Sequence, residues 1–230
     1  MPLEYHNMLA KIILVRPEFD GNLGFTARAM KNFGLKELLL VQPIADKNSG
    51  TAKARAMHAM DLLKKARTFK NLDKALKKVD YSIATTSKIS RNSKIFRTAL
   101  SVKEFAEKFS NSDKFFGIVF GPEKDGLSNQ EIKKCDFIVH IPAHHSYPEL
   151  NLSHSAIILF YELFQRKQSH SFKQMNGEKK KLLEKQFFQL LKENLKIKNP
   201  ENVKTSVKAF LSRGLLSEKE ANALISLLKN

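Results

Sequence analysis

The feature that most constrains this chain is the alternation of short, continuous apolar runs with amphipathic segments. The runs IILV, LLLV, YSIAT, GIVF and FIVHI occupy residues 12–15, 38–41, 81–85, 117–120 and 137–141. Helical patterns separate them at 24–33, 52–66, 71–79, 101–109 and 127–134. Strands that are apolar at every position are typical of parallel sheets, because crossover helices cover both faces of such sheets. The pattern predicts an α/β fold built on a parallel sheet.

The last third of the chain shows helical patterns only. SHSAIILFYELFQRK (153–167) predicts one helix that is apolar on most sides, which indicates burial on two sides and hence a dimer interface. Three further helices are predicted near 178–195, 200–213 and 217–229. The polar stretch QSHSFKQMNGE lacks periodicity and indicates a linker. We therefore expect three parts: an α/β domain (1–168), a linker (169–178) and an all-helical domain (179–230).

Charge points to a polyanionic partner. The chain has 40 Lys and Arg against 23 Asp and Glu, a net charge of +17. Such a field concentrates nucleic acid near the surface, with an anionic membrane as the second choice. A merely solvated, lysine-rich surface is the alternative. Residues 171–230 hold 13 Lys and Arg against 6 Asp and Glu, so this part is the more densely basic one and is expected to bind nucleic acid.

Other residue types favour a cytoplasmic protein without a metal site. The single cysteine, Cys135, excludes an internal disulfide framework and is expected to be a small buried residue. No apolar run approaches the ~20 residues of a membrane span, and the N-terminus lacks the pattern of an export signal. His144 and His145 are adjacent on a loop and have no further ligand at suitable spacing, so we expect no metal.

The first of three informative loops is VRPEFDGNLGFTARAMKNFG (15–34), which leads from a strand into a helix. Phe25, Ala29 and Phe33 recur at helical spacing and predict a core stripe. Gly24 allows a close approach to the backbone, and Gly34 is placed to end the helix. Arg28 could bind a phosphate or a carboxylate, or simply face solvent.

Two later loops follow strands of the predicted sheet. In FGPEKDGLSNQEI (120–132), Gly121, Pro122 and Gly126 predict a tight turn at the carboxyl edge of the sheet, where α/β proteins bind ligands. Glu123 is a carboxylate inside this turn. In IPAHHSYPELNLSHSAIILFYELF (141–164), prolines stiffen the chain before a helix that Asn151 or Ser153 could cap. The absence of GxGxxG and of a Gly-Lys-Ser/Thr loop argues against nicotinamide enzymes and nucleotide hydrolases.

Together, the segments NLGFTARAMKNFGL, VFGPEKDGLSNQEI and IPAHHSYPELNLSHSA resemble the three motifs of the SpoU-type branch of the SPOUT methyltransferases. The likeness is strongest to the TrmJ family, particularly to its archaeal members, and covers about residues 1–165. The ending LSRGLLSEKEANALISLL is similar to that family's helical extension, though less specifically.

The resemblance implies a fold whose C-terminal segment forms a trefoil knot, a homodimer with the active site completed across the interface, and S-adenosylmethionine as cofactor. It implies cofactor contacts at Thr86, Ser87, Lys88, Gly121, Ile141, Pro148, Glu149, Leu150 and Asn151. Asn22, Arg28 and Glu123 match the family's catalytic positions. Bacterial relatives usually carry a serine where this chain has Glu149, which bears on how the substrate ribose is held.

The reaction that the resemblance implies is 2′-O-ribose methylation of tRNA at nucleotide 32, on cytidine or also on uridine. A guanidinium is effectively always protonated, so Arg28 is expected to position the ribose and phosphate and to stabilise the developing alkoxide rather than to act as base. Asn22 and Glu123 are expected to orient it. Methylation of rRNA by the same chemistry and non-catalytic RNA binding are the alternatives.

Overall fold

The computed structural model describes residues 9–87, 99–166, 175–194, 199–214 and 216–228. The strands are β1 (Ala10–Val15), β2 (Glu37–Val41), β3 (Arg67–Phe69), β4 (Tyr81–Thr86), β5 (Leu100–Ser101), β6 (Phe116–Phe120) and β7 (Phe137–His140). The helices are α1 (Asp20–Asn32), α2 (Gly50–Ala56), α3 (Met60–Lys65), α4 (Leu72–Leu76), α5 (Val102–Phe109), α6 (Asn129–Lys134), α7 (Leu152–Gln165), α8 (Gly177–Asn194), α9 (Pro200–Arg213) and α10 (Glu218–Leu227). Across these described residues, every helix is too short or too polar to cross a membrane.

The seven strands form one sheet in the order β3-β2-β1-β6-β4-β7-β5, and every neighbouring pair is parallel. This confirms the predicted α/β fold with a parallel sheet. The two edge strands, β3 and β5, were not predicted. They are three and two residues long, too short to show an apolar run.

Both faces of the sheet are buried, as its continuous apolar strands predict. Ile12 and Leu14 of β1 belong to the core under α1, α5 and α7, whereas Ile13 and Val15 belong to the opposite core. Cys135 is buried in this second core, which confirms its predicted structural place.

Helix α1 sits against α2 because Gly24 lacks a side chain. A Cβ at Gly24 would lie 2.3 Å from the Ala52 carbonyl oxygen, so the predicted close approach is real and its partner is α2. Gly34 has φ +71° and ends the helix, also as predicted. The predicted core stripe is wrong at Phe25, which is 41% exposed with the Arg55 guanidinium 5.4 Å from its ring centroid. The small residues of α1 face its neighbours, and this turns Phe25 outward.

The predicted helix over 52–66 is divided. Met57 has φ +51°, a left-handed conformation that ends α2, and a short 3-10 helix (Met57–Ala59) leads into α3. After this break, α2 packs on α1, and α3 packs on both α1 and β2.

Helices α8, α9 and α10 share a small core formed by Met175, Leu183, Val207, Leu211 and Ala221. Helices α8 and α9, with Met175 just before α8, also contact the amino-terminal ends of β4 and β7. The Tyr81 hydroxyl donates to the Met175 carbonyl oxygen at 3.1 Å, and the Lys180 Nζ lies 2.5 Å from Asp136 Oδ1, just before β7. Most of the predicted linker (169–178) lies outside the described residues, and its last two residues are already helical in α8.

Candidate functional site

Three adjacent strands bring the predicted cofactor segments to one edge of the sheet. β4 lies between β6 and β7, with Ala84 opposite Val119 and Thr86 opposite His140. Because the strands are parallel, the segments that follow them leave the same carboxyl edge side by side. Four of the predicted contact residues, Thr86, Ser87, Gly121 and Ile141, therefore lie on neighbouring segments. Lys88 lies outside the described residues.

The turn after β6 is closed by two glycines. A Cβ at Gly121 would lie 2.2 Å from the Gly126 carbonyl carbon, and Gly126 itself has φ +67°. The Gly126 N–H donates to the Pro122 carbonyl oxygen at 3.0 Å. The turn therefore folds back on itself, and α6 begins only at Asn129, after Ser128 caps it together with Glu131.

The loop after β7 supplies an apolar base and free backbone donors. Ile141 packs against the core, Pro148 is half-buried, and Glu149 and Leu150 are exposed. The backbone N–H groups of Leu150 and Asn151 bind no acceptor within the part of the chain that the structure describes. A loop that offers both an apolar side chain and backbone donors suits a ligand that has both a flat ring and polar edges.

The imidazole rings of the two adjacent histidines of this loop contact each other at an angle of 39°. The rings of His144 and His145 have centroids 4.4 Å apart, and His144 Nδ1 lies 2.7 Å from the Ser146 Oγ. Among the described residues, no group of three or more His, Cys, Asp and Glu side chains is placed to hold a metal ion.

A chain of hydrogen bonds joins the three loops. Glu123 Oε2 accepts from the Glu18 N–H at 2.8 Å, and Glu123 Oε1 accepts from Asn22 Nδ2 at 2.8 Å. Asn22 Oδ1 accepts in turn from Asn151 Nδ2 at 3.1 Å. Asn151 Oδ1 caps α7 by accepting from the Ser153 N–H at 2.8 Å. The Glu123 carboxylate and the two amides thus fix the relative positions of the loops after β1, β6 and β7. The hydrogen bond between Asn22 and Asn151 was not predicted from the sequence.

Arg28 lies apart from this hydrogen-bonded chain. It is exposed on α1, and within the described residues it forms no hydrogen bond or ion pair with Asn22 or Glu123. Six helical positions separate Asn22 from Arg28, which places the two about 120° apart around the helix axis. The structure therefore does not bring Arg28 to its expected partners within a single chain.

Comparison with known proteins identifies the family. The model of the SpoU rRNA Methylase family matches residues 10–161. The chain belongs to this family.

Two relatives of this SpoU methylase align with nearly its whole length. The "tRNA (cytidine-2'-O-)-methyltransferase TrmJ" of Methanocaldococcus jannaschii is 36% identical over 96% of this chain and 99% of its own. The protein of the same name from Sulfolobus acidocaldarius is 30% identical over 96% and 93%. These matches confirm the predicted TrmJ family and its archaeal character.

A solved structure extends the likeness to three dimensions. TrmJ from Z. mobilis ZM4 superposes with a TM-score of 0.71 at 26% identity, covering 96% of this chain and 97% of that one. The parallel sheet and its surrounding helices are thus those of a SpoU methylase.

One ion pair of this SpoU methylase was not predicted. Arg16 follows β1 directly with φ +47°, and its two guanidinium nitrogens donate to the carboxylate of Glu131 at 2.5 and 3.1 Å. Burial acts to raise the pKa of Glu131, but the hydrogen bonds from Arg16 and Ser128 and the positive charge of Arg16 outweigh it and lower that pKa. The pair joins the end of β1 to α6 and so supports the turn that holds Glu123. Its sequence signal is weak, because 115 positions separate the partners.

Proposed function

We propose that this chain is an S-adenosylmethionine-dependent tRNA 2′-O-ribose methyltransferase that modifies cytidine at position 32 of the anticodon loop, with uridine as a second substrate. The observation that carries the proposal is the hydrogen-bonded chain of Glu123, Asn22 and Asn151 at the carboxyl edge. It joins the three motif loops in a protein that aligns over nearly its whole length with two relatives named tRNA (cytidine-2'-O-)-methyltransferase.

The residues at this edge fit the cofactor. Ile141 offers an apolar surface to an adenine ring, and the free N–H groups of Leu150 and Asn151 offer donors to its polar edge. The residues that would hold the cofactor are Thr86, Ser87, Lys88, Gly121, Ile141, Pro148, Glu149, Leu150 and Asn151. When bound, S-adenosylmethionine supplies a methyl group activated by a sulfonium. The protein's part is to hold the ribose oxygen in line with that methyl group.

In this proposal Arg28 is the group that acts on the RNA. Its guanidinium binds a phosphate beside the target ribose and stabilises the negative charge that develops on the 2′-oxygen. The proton of the 2′-hydroxyl leaves for an RNA phosphate oxygen. Asn22 and Glu123 act on the loop geometry, and through it on the place of the ribose.

We further propose a homodimer through helix α7 and the exposed side of α1. Phe25 and Arg28 on α1, and Ile157 and Tyr161 on α7, are exposed in the single chain. The Phe33 and Tyr161 rings lie 6.3 Å apart and join the two helices into one surface. A second copy on this surface would cover its apolar side chains and carry Arg28 to the partner's loops, which accounts for the isolation of Arg28 in one chain.

Three finer features belong to the same proposal. The C-terminal segment of the sheet domain forms the trefoil knot of the SPOUT fold, the protein works in the cytoplasm, and the basic helices α8–α10 bind tRNA. The excess of 13 Lys and Arg over 6 Asp and Glu in residues 171–230 supports the last of these.

Transfer of labelled methyl groups to tRNA tests the proposal. Arg28→Ala should slow transfer by at least ~10²-fold, the scale for losing one positioned charge-stabilising group, and leave cofactor affinity unchanged. Lys36→Ala, which removes an exposed cation near the end of α1, is the matched control and should keep full activity. Mapping the product locates the methyl group. Methylation of rRNA in place of tRNA, or a fully active Arg28→Ala variant, would contradict the proposal.

A further inference from the structure

Two large apolar side chains stand out into solvent beside the site. Phe19 is 60% exposed in the loop after β1, and Ile44 is 70% exposed in the loop after β2. Isolated apolar residues are common on protein surfaces, so exposure alone indicates nothing. The position and the rigidity of these two residues carry the argument.

Phe19 is held by the same carboxylate that organises the motif loops. It precedes α1 in an extended conformation (φ −112°, ψ 124°), and its N–H points to Glu123 Oε1 at 3.4 Å. The preceding N–H, that of Glu18, donates to Glu123 Oε2 at 2.8 Å. The backbone that carries the Phe19 ring is therefore fixed against the loop after β6.

The loop that carries Ile44 is tied to the loop that carries Phe19. The N–H groups of Ile44 and Ala45 both donate to the Pro17 carbonyl oxygen, at 3.1 and 2.9 Å. The Asp46 N–H donates to Asp20 Oδ1 at 2.8 Å. Three hydrogen bonds thus make the loops after β1 and β2 one platform, and both apolar side chains belong to it.

This platform flanks the candidate cofactor site. β1 lies next to β6 in the sheet, and β2 lies next to β1, so their loops continue the carboxyl edge away from the loops after β4 and β7. A nucleotide whose ribose reaches the loops after β6 and β7 can therefore turn its base toward this platform. An unpaired base in an RNA loop is recognised by stacking on an aromatic ring, which suits any base because each has a π-face.

We propose that the base of the methylated nucleotide stacks on the Phe19 ring, and that Ile44 in the neighbouring loop of the platform gives apolar support. The inference rests on the proposed function and adds to it the residue that holds the target base. Because stacking does not read hydrogen-bonding edges, it also accounts for a site that accepts uridine beside cytidine.

Single substitutions at Phe19 test this. Phe19→Ala should lower kcat/KM for tRNA by about 10- to 100-fold, the scale for losing one stacked base. Phe19→Tyr should retain most activity, whereas Phe19→Leu, which keeps apolar area but not the ring, should not. Phe115→Ala removes another exposed ring, which lies just before β6 at the opposite edge of the sheet, and should have no effect.

Two further readouts separate stacking from other roles. A tRNA with pyrrolocytidine at the target position should show fluorescence quenching on binding to the wild-type protein and little quenching with Phe19→Ala. Cofactor affinity, thermal stability and oligomeric state should be equal in both proteins. If Phe19→Leu is as active as Phe19→Tyr, or if Phe19→Ala matches Phe115→Ala or changes the oligomeric state, the stacking role is refuted. A wild-type protein that methylates no tRNA would instead overturn the proposed function.

Discussion

Replacing Lys180 by Met removes the charge that neutralises Asp136 while it keeps the length and the apolar stem of the side chain. The two charged groups lie 2.5 Å apart, and the residues are only 5% and 6% exposed. Removing one partner of a buried ion pair typically costs about 3–5 kcal/mol, because the other charge stays buried.

The remaining partners of Asp136 reduce this cost. Its Oδ2 accepts from the Ser82 N–H and from the Ser82 Oγ, both at 2.9 Å. Its Oδ1 accepts from the Ser212 Oγ at 3.2 Å, and Lys208 Nζ lies 3.8 Å away. We therefore expect Lys180→Met to lower the free energy of unfolding by about 2–3 kcal/mol, which is less than for an uncompensated buried charge. The loss cannot exceed the free energy that holds helices α8–α10 on the sheet, since their release would return Asp136 to water.

Urea denaturation combined with hydrogen exchange measures both effects. In Lys180→Met the urea concentration at the midpoint of unfolding should fall. The backbone amides of α8 and α9 should lose their protection from hydrogen exchange before those of β4 and β7 do. Lys181→Met, at the exposed neighbouring position, is the control and should change neither. The double variant Asp136→Asn/Lys180→Met removes both charges and should recover part of the loss. If Lys180→Met and Lys181→Met have equal midpoints, the buried pair does not hold the C-terminal helices to the sheet.

Four further predictions follow from individual contacts. Burial acts to raise the pKa of Asp136, but its neighbouring lysines and hydrogen bonds outweigh it and lower that pKa. The resulting stabilisation is present above the unfolded-state pKa of about 3.9 and is lost as the pH falls through the lower pKa of the folded state. The free energy of unfolding should therefore fall less steeply with decreasing pH in Lys180→Met than in the wild-type protein. Gly24→Ala should lower the free energy of unfolding, measured by thermal denaturation, by about 1–3 kcal/mol, because the new methyl group collides with α2. Unchanged stability would mean that α1 and α2 can move apart without cost. Glu149→Ser should keep cofactor affinity in calorimetry and retain measurable activity, since the Glu149 side chain is exposed; lost binding would make its carboxylate a ligand. A chain ending at Arg166 should stay soluble and dimeric and should still bind cofactor, because Asp136 then faces water. Its affinity for tRNA should fall and should vary less with salt concentration. An undiminished affinity for tRNA would refute RNA binding by the helices that were removed.

The parallel sheet was predictable because its central strands are buried on both faces. A run such as LLLV at 38–41 can belong to few other structures when helical patterns lie on either side of it. The edge strands were not predictable, because β3 is the exposed sequence RTF and pairs on one side only. Hydrophobic periodicity also failed at Phe25, since it does not tell a side chain packed in the chain's own core from one left on the surface.

The candidate site was predictable in its parts but not in its connections. The positions of Asn22, Glu123 and Asn151, each just after a strand of the predicted sheet, follow from the alternation of strands and helices and from the motif resemblance. Their hydrogen bonds depend on strand order, which places the loops after β1 and β6 side by side although about 100 positions separate them. The same limit hid the pairing of Lys180 with Asp136, because no local pattern links two residues that meet only after the sheet has formed.

The placement of α8–α10 at the amino-terminal ends of β4 and β7 puts them a full strand away from the carboxyl edge that carries the candidate site. β4 has six residues, which corresponds to roughly 17 Å at ~3.3 Å per residue. An RNA that touches both the basic helices and the site must therefore span at least this thickness of protein. A short hairpin seated at the site would leave the helices of the same chain without a ligand, whereas the arms of a complete tRNA extend far enough to reach them. In the proposed enzyme, this distance across the sheet thus favours a whole folded tRNA over an isolated anticodon loop as the substrate.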